Sequence, residues 1–238
     1  MEVQERDSLP TEGICAFCGL YGRLTKEDAL PSWLMRYLWP PNEHIALAKT
    51  WGKANELQRN LKYGYDLRLK TMTLCGDCNT KWLGPFEEQA KPKLRAWISG
   101  LKGPVVHGER QLLAFWATKT AMTVDLAHPS GGRLIPPAHC QQLHANRDYP
   151  PAGVHAWAAL RRAKVRGIEH RARPFQVANI HGDEVAPGSV THAGYHVVFV
   201  IGHLELQVIG HVVGGSQPAD IPGLYRLWPL PDDPLLAE

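Results

Sequence analysis

A chain of 238 residues, 44% hydrophobic and 21% charged, holds enough apolar sequence for a sizeable core in one large domain or two modest ones. No run approaches the roughly 18 apolar residues of a membrane span. Residues 1–10 are polar and acidic, unlike a signal peptide or a basic transit segment. The net charge of +3 sits in the first part, with 15 Lys/Arg against 12 Asp/Glu through Val105 and 11 against 11 beyond it. That excess is compatible with a nucleic-acid partner but smaller than dedicated DNA binders carry.

In chain order, residues 1–13 lack apolar periodicity and read as a loose tail. Residues 14–24 form a first cysteine knuckle, in which Gly19 and Gly22 permit the positive φ of a tight turn. Pro31 opens a short helix with Trp33, Leu34, Tyr37 and Leu38 on one face, and Pro40-Pro41 ends it. Residues 42–70 read as an insertion in which 44–48 and 63–74 could pair as strands, the second delivering Cys75. Helical sequence starts at Lys81 and runs to Gly100, with a kink or break expected at Pro85 and Pro92.

Gly103-Pro104 marks a domain boundary between residues 14–103 and 104–238. Residues 109–126 form the clearest helix, with Leu113, Trp116, Ala117, Thr120, Ala121 and Val124 on one face. A short helix is expected over 137–146. Strands follow over 154–160, 175–180, 196–201 and 204–213, with a hairpin turn at Gly202-His203 and a final segment at 224–230. The predicted class is α+β: a metal-organised N-terminal module, a central helix and a small antiparallel sheet.

Five cysteines, four of them in CxxC pairs, point to a reducing compartment, hence a cytoplasmic protein, with metal-bound thiolates. Cys15/Cys18 and Cys75/Cys78 lie 56 residues apart and together make a four-thiolate structural zinc site. Asn79 follows the last ligand directly, so the zinc that fixes Cys78 also fixes Asn79. One zinc gripped by both knuckles would bring Asn79 to Glu27, 52 positions away. A carboxylate and a carboxamide oxygen suit Mg²⁺ or Mn²⁺ better than zinc. An N-cap is the other reading of Asn79, and an exposed first-turn carboxylate is the plainer account of Glu87.

These elements together resemble the HNH-type nuclease family, and most closely a phage and actinobacterial HNH-like group. That pattern runs CxxC, Glu-His followed by Pro and Trp-Leu, then CxxC-Asn with Trp-hydrophobic and an acidic residue. Here it reads Cys15/Cys18, Glu27-Asp28, Pro31, Trp33-Leu34, Cys75/Cys78-Asn79, Trp82-Leu83 and Glu87. Residues 112–126, 207–211 and 227–229 also look like that group. The resemblance implies a treble-clef (ββα-metal) fold, a structural zinc on the four cysteines, and a catalytic divalent ion on Glu27 and Asn79. The family's general-base histidine falls at Asp28, which is the departure that matters. Aspartate, with an ordinary pKa of about 3.9 against about 6.5 for imidazole, is the weaker base.

Two functions are therefore expected. One is a metal-dependent HNH-like endonuclease acting on DNA; the other is a catalytically impaired relative that binds nucleic acid or a protein partner. Because two DNA strands must be cut, a homodimer is a further expectation. Lys81, Arg161, Arg162, Lys164 and Arg166 are the phosphate-contacting candidates, with Arg171 and Arg173 nearby; a solvated strand edge explains the same run. His44 is a substitute-base candidate, His192/His196 a weak metal pair, and Cys140 a small buried hydrophobe.

Overall fold

The computed structural model describes residues 12–38, 59–63, 70–101, 103, 105–127, 133–165, 167–175, 194–211, 218 and 220–229. It starts with a hairpin, β1 (Glu12–Ile14) against β2 (Tyr21–Asp28), turned by the first knuckle. Within that turn the Gly19 amide donates to the Cys15 carbonyl at 2.9 Å and the Cys15 amide to the Leu20 carbonyl at 2.9 Å. Gly19 takes φ 73°, the left-handed conformation the turn requires. Helix α1 (Ser32–Leu38) follows Pro31 and buries Trp33, Leu34 and Met35, while Tyr37 is exposed.

From the 42–70 insertion, β3 (Arg59–Tyr63) is described, whereas 44–48 and 64–69 lie outside the described residues. The strand that delivers Cys75, β4 (Lys70–Cys75), pairs antiparallel with β2 and sets Cys75 opposite Leu24. Its partner is thus the strand leaving the first knuckle, and this pairing brings the two CxxC turns together. The Ala16 amide donates to the Thr73 carbonyl at 2.8 Å and fastens the first knuckle to β4.

Helical structure begins earlier than expected. A π-helical segment spans Asp77–Leu83 and passes directly into α2 (Gly84–Ile98). Pro85 falls at the junction of the π-helical segment with α2, and Pro92 is carried inside the helix. The N-cap position belongs to Gly76, so Asn79 lies within the helical segment and is not a cap.

Helix α3 (His107–Leu126) is buried on every side from Leu113 to Asp125. A single apolar face was expected; the helix is buried all round because the N-terminal module packs on one side and a sheet on the other. Trp82 meets Phe17 edge-on at 5.6 Å and Phe115 of α3 at 5.8 Å, and Phe86 stacks on Phe115 at 4.4 Å. The hydrophobic cluster is continuous across residues 103–104. Helix α4 (Pro137–Asn146) matches the expected short helix.

The remaining strands are β5 (Val154–Leu160), β6 (Ile168–Phe175), β7 (Gly194–Ile201), β8 (Leu204–His211) and β9 (Tyr225–Trp228). With β3 they form a six-stranded antiparallel sheet in the order β3-β6-β7-β8-β5-β9. The sheet is larger than expected and is not confined to the C-terminal half, because β3 pairs with the open edge of β6. The strand expected at 175–180 is β6, which ends where that expectation began; 176–180 lie outside the described residues. In β6 Ile168, His170 and Ala172 are buried while Arg171 and Arg173 are exposed, so a charge run conceals a period-two strand. The chain is a mixed α/β structure, and among the described residues no helix is long and apolar enough to cross a membrane.

Candidate metal centre and adjoining acidic cluster

The four cysteines Cys15, Cys18, Cys75 and Cys78 converge, with every sulfur within 4.8 Å of every other. Cys18 Sγ and Cys75 Sγ are 3.8 Å apart. A tetrahedral ion with Zn–S bonds of about 2.3 Å sets its sulfurs about 3.8 Å apart, so the cluster can hold a metal ion such as zinc. The inner pair, Cys15 and Cys78, is buried, and the Cys75 amide donates to Cys15 Sγ at 3.4 Å. The Cys78 thiol, together with the amides of Cys75, Cys18 and Phe17, holds the Cys15 thiol down to about 4 despite its burial. The shared hydrogen bond with Cys15 and burial push Cys78 up, and burial raises Cys18. One thiolate is favoured by the protein alone; gathering four needs a cation among them.

Cys140 stands apart, buried, its thiol pushed up to about 12 by burial.

Beside the cysteines lies a second group of polar side chains. The Thr25 hydroxyl donates to the Leu74 carbonyl at 2.9 Å and accepts from Asn79 Nδ2 at 3.1 Å. Asn79 stands close enough to Glu27 to favour its charged form, so the structure brings together two residues that lie far apart in sequence. The β2–β4 register shifts between Thr25 and Glu27, an irregularity that re-aims the side chains beyond it. Burial raises the Glu27 carboxyl above the ordinary range, and the negative charges of Glu87 and Asp28 add to this; Lys119 and Asn79 oppose it. Asp28 follows directly, with Oδ1 buried and without a hydrogen-bond partner among the described residues.

Two members of this group were not assigned from sequence. Lys119 projects from α3, only 2% exposed, and pairs with Glu87 in the first turn of α2. In a regular helix of about 3.6 residues per turn, positions eight apart diverge by about 80°. The wider π-helical turn between Asn79 and Glu87 takes up that divergence, and both act on Glu27. Thr25 is the other. The signal for Lys119 was one cation inside a run of small and apolar residues, Ala117 to Met122, on a helix with no polar face.

The basic candidates lie elsewhere. Lys81 is exposed and paired with Asp77 at 2.7 Å, one turn before it. Arg161 stands 3.8 Å from Glu205, Arg162 and Lys164 are exposed, and Arg166 lies outside the described residues. The Arg161 amide donates to the His203 carbonyl, and the His203 amide to the Ile98 carbonyl at the end of α2. This basic segment therefore abuts the far end of α2, a helix about 22 Å long for its 15 residues, while Asn79 lies before its start. Arg171, Arg173 and His196 line a groove of about 470 Å³ on the sheet face, where His196 Nε2 and Gln207 Oε1 are 2.9 Å apart. His44 and His192 lie outside the described residues, and no described histidine acts on Glu27.

Comparison with protein-family models, curated proteins and solved structures found no match.

Proposed function

We propose that this protein is a metal-dependent, HNH-like endonuclease that hydrolyses phosphodiester bonds in DNA. The observation that carries the reading is Glu27 brought beside Asn79, the residue that directly follows the last cysteine of the four-cysteine cluster. Zinc in a four-thiolate site is closed and serves structure, which leaves chemistry to these neighbours. In the treble-clef arrangement that the sequence resembles, the knuckle cysteines frame the strands and helix bearing the active residues.

The donor set fits Mg²⁺ or Mn²⁺. Glu27, Asp28 and Glu87 against Lys119 leave two negative charges in a largely buried site, which one divalent ion neutralises. The buried, unpartnered Asp28 Oδ1 fits the same account, because such an oxygen is costly without a cation or donor. Glu27 Oε and Asn79 Oδ1 would hold the ion, leaving room for water and phosphate oxygens. When bound, the ion would stabilise charge on the phosphate and the leaving oxygen.

The chain's own residues do the rest. Thr25 fixes the Asn79 carboxamide so that its N–H points into the protein. Asp28, in place of the family's histidine, accepts the proton of the attacking water. A positioned general base contributes roughly 10²–10⁴-fold at its best, and a carboxylate reaches the lower part of that range at neutral pH. The exposed cations Arg161, Arg162 and Lys164, beyond the far end of α2 from Asn79, suit a duplex of about 34 Å per turn better than a single nucleotide. They would anchor phosphates, as Lys81 would nearer the site.

The test is incubation of the zinc-loaded protein with supercoiled plasmid and single-stranded DNA in Mg²⁺ or Mn²⁺. Slow nicking is expected, absent in chelator and at least 100-fold reduced in Asn79→Ala, with a gain of roughly tenfold or more in Asp28→His. No cleavage by the native protein but cleavage by Asp28→His would favour the second reading, an impaired relative that binds nucleic acid. That no histidine among the described residues acts on Glu27 is the observation behind that alternative.

A further inference from the structure

We propose that Lys119 is the resident counter-ion of the acidic site. It takes Glu87 as its own partner and sets the site to accept a single divalent ion at Glu27 and Asn79. The inference rests on the metal site just proposed and goes beyond it, because α3 lies outside the segment that bears the cysteines and the Glu27–Asn79 pair.

Burial makes the case. A lysine 2% exposed has exchanged its water for protein, which is costly unless the ammonium is paired. Its partner is Glu87, itself 17% exposed, and its charge also acts on Glu27. No simpler packing role accounts for a cation here. Along α3 its neighbours Thr118, Thr120, Ala121 and Met122 are all buried, and an apolar side chain would fill the position at no electrostatic cost. What Lys119 supplies is one positive charge to a cluster of three carboxylates, at a fixed place on Glu87.

Two consequences follow from charge alone. Removing the ammonium raises the site from two net negative charges to three and frees Glu87 to enter the ion's shell. Removing the Glu87 charge lowers it to one. Coulomb energies at an effective dielectric of about 20 make one unit charge at this range worth at least a tenfold change in divalent-ion affinity.

The experiment is Mn²⁺ titration of zinc-loaded protein, followed by the electron paramagnetic resonance of free Mn²⁺ at fixed pH and ionic strength. Relative to the native protein, Lys119→Met is expected to bind Mn²⁺ at least tenfold more tightly and Glu87→Gln at least tenfold more weakly. The double variant returns near the native value, and Lys119→Arg, which keeps the charge, matches it. A folded, zinc-replete Lys119→Met that binds Mn²⁺ no more tightly than native overturns the proposal. Where Lys119→Met does not fold, the other variants decide. Weaker binding in Glu87→Gln with recovery in the double supports the proposal, and equal affinity in all three overturns it. Native protein that takes no Mn²⁺ sinks the metal site and Lys119's role together. Native binding with a flat variant series sinks only the latter.

Discussion

Thr25 joins the two parts of the acidic site through one hydroxyl, donating to Leu74 and accepting from Asn79. Neither bond is visible in the motif, which names Glu27 and Asn79 but not the residue that orients them. Histidines give the residue scale its pH dependence. Burial holds His155 down to about 4, and like charge from His211 and Arg226 adds to this; burial also lowers His139, His196 and His211. These groups stay neutral in the fold while the unfolded chain protonates below about pH 6.5. The unfolded state then binds more protons, so stability is complete about one pH unit above 6.5 and is lost as pH falls toward 4. Denaturant unfolding at pH 7.5, 6.5 and 5.5 should show stability falling at each step. His155→Phe, which keeps the stack on Trp157, should have a shallower slope by up to one proton, about 1.4 kcal/mol per pH unit. An unchanged slope in the variant would show that His155 plays no part.

Among the elements, the β7–β8 hairpin is the one whose turn chemistry reaches furthest into the rest of the fold. Gly202 has φ 59°, and a Cβ there would stand 2.5 Å from the Ile98 carbonyl oxygen. The same carbonyl accepts the His203 amide at 3.0 Å, and the Gly202 carbonyl accepts the Val165 amide at 2.9 Å. Gly202→Ala meets both a left-handed backbone and a backbone clash, and should cost about 2 kcal/mol or more. Urea unfolding would read this directly; a loss below about 0.5 kcal/mol would mean the turn relaxes freely. That hairpin was legible, because Gly-His between two alternating apolar runs is a local signal. β6 was not, since its outward arginines read as a charge run, and its neighbour β3 comes from a distant part of the chain. Pairing between distant segments leaves no local trace. The π-helical start at Asp77 was hidden for a related reason: it directly follows the second CxxC turn, where no apolar periodicity announces it.

At the scale of the whole molecule, α3 is the shared wall of two layers. Its Phe115 packs against Trp82 of the cysteine module, while its other sides meet β5, β8 and β9. The four-cysteine cluster was legible, because CxxC spacing is set by the reach of two thiolates from one turn, and all four sulfurs converge where they can hold a metal ion. The acidic cluster was half legible. Glu27 and Asn79 belong to the motif, whereas Lys119 arrives through tertiary packing from residues that read only as core. Whether this assembly holds two different ions is the point on which the account turns. It is tested most directly by anomalous diffraction at the zinc and manganese edges from crystals of zinc-loaded protein soaked in Mn²⁺. The account predicts one zinc peak among Cys15, Cys18, Cys75 and Cys78, and one manganese peak in contact with Glu27 and Asn79 while Lys119 still holds Glu87. Zinc in its place with no manganese at Glu27 and Asn79 would contradict it.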